Sequence, residues 1–406
     1  MCGMTLGLYV HIPFCETKCP YCDFNTYSAI ESLMPGYVDA LDHEIAQWGE
    51  WLERPTLTSV FFGGGTPSYL PTRDIHRLMR TIQTAWVLPD DAEATLEANP
   101  GDCSRERLQA IRRSGVNRLS IGVQSFNNNE LQMLGRRHDV EQAKRAVEAA
   151  RVAGFDNLSI DLMFGLPYQY VSTWEHSLDE AITLAPEHIS AYSLTLEGGT
   201  PMEADVTSGR LPEADSDLGA EMYKMLGEKL ATAGYEQYEI SNWSKPGRAS
   251  AHNQTYWHNE PYLGVGPGAH GYLMPTEGPL SGLPQHGVRF AEIKPPRTYI
   301  QRAAAWQAQG SIDERTLADA GAVEYADALD KRIALCETMM MGLRLNDGVE
   351  DARFHARFGV SIEEAFPSAV HDCLEDGLLE WSDGWLRLTD EGRPLGNEAF
   401  ARFVAE

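Results

Sequence analysis

Between residues 5 and about 195, short runs rich in β-branched residues alternate with amphipathic stretches, and this alternation limits the fold more than any other property of the chain. A strand, a helix and a second strand close into a parallel βαβ unit, so repeated units build a parallel sheet with helices outside it. The pattern predicts strands over 7–12, 57–62, 94–98, 118–124, 157–163 and 188–194. Helices fall between them, over 33–52, 104–114 and 140–153, with Gly115 and Gly154 as C-terminal caps. Six such units predict an α/β fold with a partial, TIM-like (β/α)6 barrel spanning 1–200. A closed eight-stranded barrel needs two further repeats, and the chain beyond residue 200 is too rich in Gly, Pro and aromatic residues to supply them.

Two more regions follow. Residues 201–295, including Tyr262-Leu263-Gly264-Val265-Gly266-Pro267-Gly268, read as an irregular cap over the barrel. Residues 296–406 read as a C-terminal accessory domain: helices over 331–342 and 368–377 precede a run over 378–388 that alternates apolar and polar residues about Asp383-Gly384. That run is a hairpin, and helices followed by a hairpin wing predict a small winged-helix-like domain.

Composition restricts partners and compartment. With 33 basic against 59 acidic residues the net charge is −26, which repels a nucleic-acid backbone, and the basic cluster Arg136-Arg137-His138 is too short to track one. The wing domain is therefore expected to serve packing or protein contact, without nucleic acid as a partner. The first residues lack a secretory signal pattern, and no run approaches the roughly 20 apolar residues of a membrane span. The expectation is a cytoplasmic protein. Seven cysteines, three of them within eight positions, do not make a disulfide framework and suit a reducing compartment. Cys103, Cys336 and Cys373 read as buried or free thiols, and Cys2 as an uninvolved terminal residue.

Cys15-x3-Cys19-x2-Cys22 lies in the loop directly after the first strand, so three thiolates converge at that strand's carboxyl end. Three ligands on a [4Fe–4S] cube leave one iron open. S-adenosylmethionine (SAM) can chelate that iron through its amino and carboxylate groups, which is the arrangement of radical SAM chemistry. The competing use is a zinc site with His11 as fourth ligand; structural zinc usually takes its ligands as two pairs, and no second pair follows.

Gly63-Gly64-Gly65-Thr66-Pro67 follows the second strand, where missing side chains let the backbone approach the amino-acid end of SAM. Glu97, Gln124 and Asp161 fall at the carboxyl ends of later strands, the rim where ligand contacts gather in parallel barrels. They are candidates for the ribose hydroxyls, amino group and adenine of SAM. His252-Asn253-Gln254-Thr255-Tyr256-Trp257 puts an imidazole beside flat aromatic surface, a combination that suits haem, although a histidine among aromatics is more often an ordinary packing residue.

Tyr9-Val10-His11-Ile12-Pro13-Phe14-Cys15, the cysteine triplet, Gly63 to Pro67 and Gly122-Val123-Gln124-Ser125-Phe126 together resemble the oxygen-independent coproporphyrinogen III oxidase family and its HemW-like haem-chaperone branch. The likeness runs along nearly the whole chain, including Gly342-Leu343-Arg344-Leu345-Asn346-Asp347-Gly348 in the accessory domain. It implies Tyr9 near the cluster, Gly64, Gly65 and Thr66 on the methionyl part of SAM, and Glu97, Gln124, Arg136 and Asp161 completing the site. Arg136 is assigned by its spacing from Gln124, with Arg137 the alternative. The oxidases proper carry a fourth cysteine two residues after the triplet and a longer N-terminal segment; here that position is Phe24 and the chain begins almost at the first strand.

The His-Asn-x-x-Tyr-Trp element is what the haem-handling members carry, which makes His252 the expected haem ligand. The resemblance thus implies a haem-binding, haem-transferring protein on a radical SAM core, with a haem-acceptor protein as partner and a flavodoxin-like electron donor as the generic expectation. Two alternatives stay open, an oxygen-independent coproporphyrinogen III dehydrogenase and a radical enzyme that opens the haem ring. Whether the chain is an enzyme at all is left open with them.

Overall fold

The computed structural model describes residues 4–405, so Cys2 lies outside the described residues. Six strands run parallel in sequence order: β1 (Thr5–Ile12), β2 (Thr56–Gly64), β3 (Glu93–Ala98), β4 (Arg118–Gln124), β5 (Leu158–Phe164) and β6 (His188–Ser193). Each lies within a residue or two of its predicted span. The connecting helices bury one face each. In Met34–Trp51 the buried set Val38, Leu41, Ile45 and Trp48 follows the three- and four-residue spacing of a helix stripe. Helix Val140–Val152 starts at a reciprocal Asp139–Gln142 capping box, and Gly115 and Gly154 end their helices at φ of 107° and 93°, where a side chain would be strained.

The two faces of this sheet differ in chemistry. Outward positions are apolar, as with Leu96, Leu119, Ile121, Leu158, Ile160 and Ile189, all buried against the helices. Inward positions are polar and stay in register from strand to strand: Glu97 pairs with Ser120, Ser120 with Ser159, and Ser159 with His188, while the next layer aligns Gly122, Asp161 and Ser190. A barrel interior filled by Val, Ile and Leu would be a solid core; this one is built to line a cavity.

Residues 201–295, expected as an irregular cap, instead extend the sheet at both edges. Strands β7 (Glu236–Glu239) and β8 (Asn242–Ser244) pair antiparallel beyond β6. On the other side β9 (Tyr262–Val265) lies parallel to β1, followed by β10 (His270–Leu273), β11 (Val288–Glu292) and β12 (Val323–Ala328), giving a twelve-stranded sheet. The Gly-Pro-rich run that suggested a cap contains β9 itself. Gly264 has no room for a Cβ, which would sit 2.0 Å from the His270 carbonyl oxygen, so glycine permits the β9–β10 turn to close.

The boundary expected at residue 296 also moves. Tyr299, Ala303, Ile312, Leu317 and Val323 are buried in the same core as the sheet, whereas a second core runs from Ala334 to Phe403. This C-terminal unit sets helices including Lys331–Gly342, Pro367–Glu375 and Gly396–Ala405 around a small antiparallel sheet of β13 (Val349–Glu350), β14 (Leu379–Ser382) and β15 (Trp385–Leu388), in the order β13-β15-β14. The predicted hairpin is β14–β15, turning at Asp383 and Gly384 with φ of 50° and 86°. Polar contacts fasten the unit to the sheet: Arg289 pairs with Glu337 at 2.8 Å, and the Arg357 guanidinium donates to the Tyr272 hydroxyl at 2.9 Å. Among the described residues, no helix is long and apolar enough to cross a membrane.

Candidate functional site

The loop carrying the cysteines is closed at its base by Phe14 and Tyr27: the Cys15 amide donates to the Tyr27 carbonyl at 3.0 Å, and the Tyr27 amide to the Pro13 carbonyl at 2.8 Å. The glycine loop braces it from the side. The Gly65 amide donates to the Ile12 carbonyl at 2.7 Å and the Thr66 amide to the Phe14 carbonyl at 2.8 Å. These two amides therefore hold the cysteine loop and do not face a ligand, as the glycine run alone had suggested. The Gly64 amide does reach across the site, donating to a Glu97 carboxylate oxygen at 3.2 Å. The space above Gly65 is closed by the Phe14 and Ile12 carbonyls and the Cys15 sulfur, so the loops touch only because no side chain intervenes.

Cys15, Cys19 and Cys22 open on one cavity of about 580 Å³ at the carboxyl end of the parallel strands. Gly64, Gly65, Thr66, Glu97, Gln124, Arg136 and Asp161 line the same cavity, so the structure brings together every expected cluster and SAM residue except Tyr9. Tyr9 stands behind, on the wall of a neighbouring cavity that shares Gly64 and Glu97 with the first. Of the two adjacent arginines, Arg136 faces the cysteines: its Nη1 lies 3.5 Å from Cys19 Sγ and its Nη2 donates to the Gly122 carbonyl at 2.8 Å. Arg137 turns away to pair with Glu16 and, at 2.5 Å, with Asp102.

Donors aimed at sulfur suit thiolates that carry a metal cluster; besides Arg136, Thr66 Oγ1 donates to Cys15 Sγ at 3.4 Å, and the Thr26 hydroxyl lies 3.9 Å from Cys22 Sγ. Among the described residues the buried Arg136 Nε has no hydrogen-bond partner while its side chain lines the cavity, leaving donor capacity for a polar guest, and the buried Arg118 on the same wall turns its Nε toward Glu93 at 3.9 Å. The residues present thus fit a cluster and a zwitterionic ligand beside it. Burial, reinforced by the neighbouring Asp161 charge, pushes the Glu97 carboxyl up to about 8, and burial raises Asp161 as well. Asp161 is held by the Ser120 hydroxyl at 2.9 Å and the Ser159 hydroxyl at 3.2 Å. Gln124 sits at φ 69° where the β4–β5 register slips, so the strand end is twisted to deliver this side chain.

Sequence reasoning missed Arg118, Ser120, Ser190 and Tyr192, which also line the cavity. Their signal was available: they occupy alternate positions of β4 and β6 and continue the polar inward face that Glu97 and Asp161 announce.

His252 is not brought to either cavity. Its ring nitrogens lie 2.8 Å from the Ser59 hydroxyl and 2.8 Å from the Tyr256 hydroxyl, its ring stacks on Phe61 at 5.1 Å, and it is buried. The expected haem ligand is thus hydrogen-bonded at both ring nitrogens, and iron could be taken by this imidazole only after one of those bonds breaks. The surrounding motif is structural in a specific way. Glu93 receives the amides of Ala251 and His252 and the Ser250 hydroxyl, anchoring helix Ala251–Trp257 to β3. The helix then forms a partition, with Asn253 on the first cavity and Tyr256 and Trp257 on the second.

With this geometry in view, the comparisons with known proteins agree among themselves. The chain matches the model of the radical SAM superfamily over residues 9–181 and that of the HemN C-terminal domain over residues 329–395. It is 38% identical to the heme chaperone HemW of Bacillus subtilis, across 98% of this chain and 99% of that protein. It is 44% identical to radical S-adenosyl methionine domain-containing protein 1, mitochondrial, of Mus musculus, across 95% of this chain and 84% of the relative. Coproporphyrinogen III oxidase (HemN) from Escherichia coli superposes with a TM-score of 0.81 at 22% identity, across 99% of this chain and 91% of the other, a likeness of fold alone. Two family models in the expected order and full-length identity to HemW proteins make this chain a member of the radical SAM superfamily and, within it, of the HemW family.

Proposed function

We propose that the chain is a haem chaperone, which binds haem and passes it unchanged to an acceptor protein, on a core that carries a [4Fe–4S] cluster and SAM. The observation that carries this reading is the 38% identity, along 98% of the chain, to a protein named as a heme chaperone. Membership of the radical SAM superfamily implies the cluster and SAM. Phe24 supports the chaperone over the oxidase, because it puts an exposed benzyl group where the oxidases carry a further cysteine.

In this reading Cys15, Cys19 and Cys22 would hold the cluster and leave one iron for SAM. The cluster, when bound and reduced, supplies the electron that can cleave a carbon–sulfur bond of SAM. The chain's own residues bind and orient. Thr66 and Arg136 donate toward the Cys15 and Cys19 sulfurs, Gly64 presents Glu97 through its amide, and Glu97, Gln124 and Asp161 would offer acceptors and donors to the amino group, ribose and adenine. Tyr9 closes the site from behind against water. A flavodoxin-like protein would serve as electron donor, and a reducing cytoplasm suits the thiolates.

The test is one anaerobic sample of cluster-loaded protein given haem, coproporphyrinogen, SAM and a reductant. A stable Soret band, transferable to an apo haem protein, is expected. Protoporphyrinogen formed with 5′-deoxyadenosine would make the protein a dehydrogenase instead. Haem absorbance lost in step with SAM would make it a haem-degrading enzyme.

A further inference from the structure

The second cavity, of about 470 Å³, is of cofactor size and carries a porphyrin's usual surroundings. Tyr256 and Tyr262 meet edge to face at 4.6 Å, and Trp257 and Phe24 add flat apolar surface. Phe24 is 63% exposed and lines both cavities, so its ring is open to a guest in either. Two histidines line this cavity, and they differ. The nitrogens of His11 are occupied by the Tyr9 hydroxyl at 3.1 Å and the Asn25 carbonyl at 3.0 Å, and the ring is buried. His270, the first residue of β10, is exposed, and among the described residues no group hydrogen-bonds its ring.

Charge points the same way. The chain carries a net −26, which opposes a ligand bearing two carboxylates. Arg289 nevertheless lines the cavity, and the Lys294 carbonyl accepts from the side-chain amide of Asn25, another lining residue, at 3.0 Å, so both cations stand at this site. Lys294 is exposed and makes no ion pair among the described residues, so it is free to meet a propionate, whereas Arg289 is engaged with Glu337. Met341 reaches the cavity from helix Lys331–Gly342, so the C-terminal unit completes the wall and supplies a thioether.

Resting on the chaperone reading, we propose that this second cavity is the haem site, that the His270 imidazole is the iron ligand, and that Lys294 pairs with a haem propionate. Because Phe24, Gly64 and Glu97 line both cavities, haem so held lies next to the cluster site.

The test is an anaerobic hemin titration of the full-length protein, followed by the Soret band, on the parent and on His270→Ala, His252→Ala and Lys294→Glu. Cluster content and melting temperature check that each variant is folded. His270→Ala should shift the Soret maximum and weaken binding about tenfold or more, with added imidazole restoring the parent spectrum. Lys294→Glu, a surface change that leaves the fold alone, should weaken binding with the Soret position unchanged. Parent protein that binds no hemin would remove the chaperone reading itself. A parent that binds, beside a His270→Ala variant with the same spectrum and affinity, would overturn this assignment and leave that reading standing.

Discussion

The Ser59 hydroxyl and the His252 imidazole meet at 2.8 Å on the inner side of β2, and the far ring nitrogen meets Tyr256 at the same distance. A neutral imidazole has one donor and one acceptor, so this ring is fully satisfied between two hydroxyls. His252→Ala leaves both hydroxyls buried without it. The expected cost is about 1–3 kcal/mol from the lost hydrogen bonds, read as a lower urea midpoint. Hemin binding should persist. A variant as stable as the parent but unable to bind hemin would return the ligand role to His252.

Gly65 holds two loops in contact. An alanine there would put its Cβ 2.7 Å from the Phe14 carbonyl oxygen and 2.8 Å from that of Ile12. Overpacking of this kind costs about 1–3 kcal/mol, and here it lands on the loop that positions Cys15. Gly65→Ala should therefore lose most of its iron and sulfide on reconstitution. Gly154→Ala is the control: its φ of 93° makes alanine cost about 1–2 kcal/mol, but nothing lies within 4 Å of the added methyl. It should melt earlier and keep its cluster. Equal cluster content in the two variants would count against the bracing role of Gly65.

The parallel strands were legible because their signal is local, a run of β-branched residues closed by a glycine or a polar rim, and β4 falls over its predicted span, 118–124. Glu97 and Gln124 were legible for the same reason, at or next to the end of a strand, whereas Asp161 lies in the middle of β5 and reaches the cavity through that strand's polar inward face. Strands β7 to β12 were not. Strands β7 to β10 have only three or four residues each, and β9 carries Gly264 because the close approach of His270 demands it, so propensity argued for a loop where tertiary packing made a strand. The hydrogen bonds of His252 were hidden for a related reason. Sequence shows an imidazole beside aromatics, but its partner Ser59 lies 193 positions away, and only the fold brings it within bonding distance. His270 gave no motif of its own.

Arg136 sets a positive charge 3.5 Å from Cys19 Sγ. A cation beside a cluster sulfur favours the reduced, more negative state, so removing it makes reduction harder. Arg136→Leu should shift the cluster's reduction potential to more negative values in a redox titration followed by electron paramagnetic resonance. SAM should also bind less tightly. Arg136→Lys, which keeps the charge and loses the two-pronged geometry, should recover much of the potential and less of the SAM affinity. A potential unchanged in the leucine variant would mean that the guanidinium serves only the Gly122 carbonyl.

Two buried carboxyls, Glu44 and Glu292, make stability fall on the alkaline side. Burial pushes Glu44 up to about 7, even though it accepts hydrogen bonds from the Tyr299 hydroxyl at 2.6 Å and the Gly266 amide at 3.1 Å. Burial and then the Glu44 charge hold Glu292 well above the usual carboxylate range. Unfolded, both ionise near 4.5, so above that pH the folded chain binds more protons and loses stability as pH rises. Histidines act in the opposite sense. Burial lowers His11 and His138 to about 4 and His252 to about 3, so they cost stability only as pH falls below 6.5. Above pH 6.5 the carboxyls act alone among these groups, with Glu97 adding in the same direction. The unfolding free energy should fall steadily between pH 6.5 and 8, by up to about 1.36 kcal/mol per pH unit for each carboxyl that keeps its proton in the fold and loses it on unfolding. Glu292→Gln removes one of these two carboxyls at nearly constant shape, so its urea midpoint should fall less over the same interval. A parallel fall in parent and variant would show that the alkaline loss arises elsewhere.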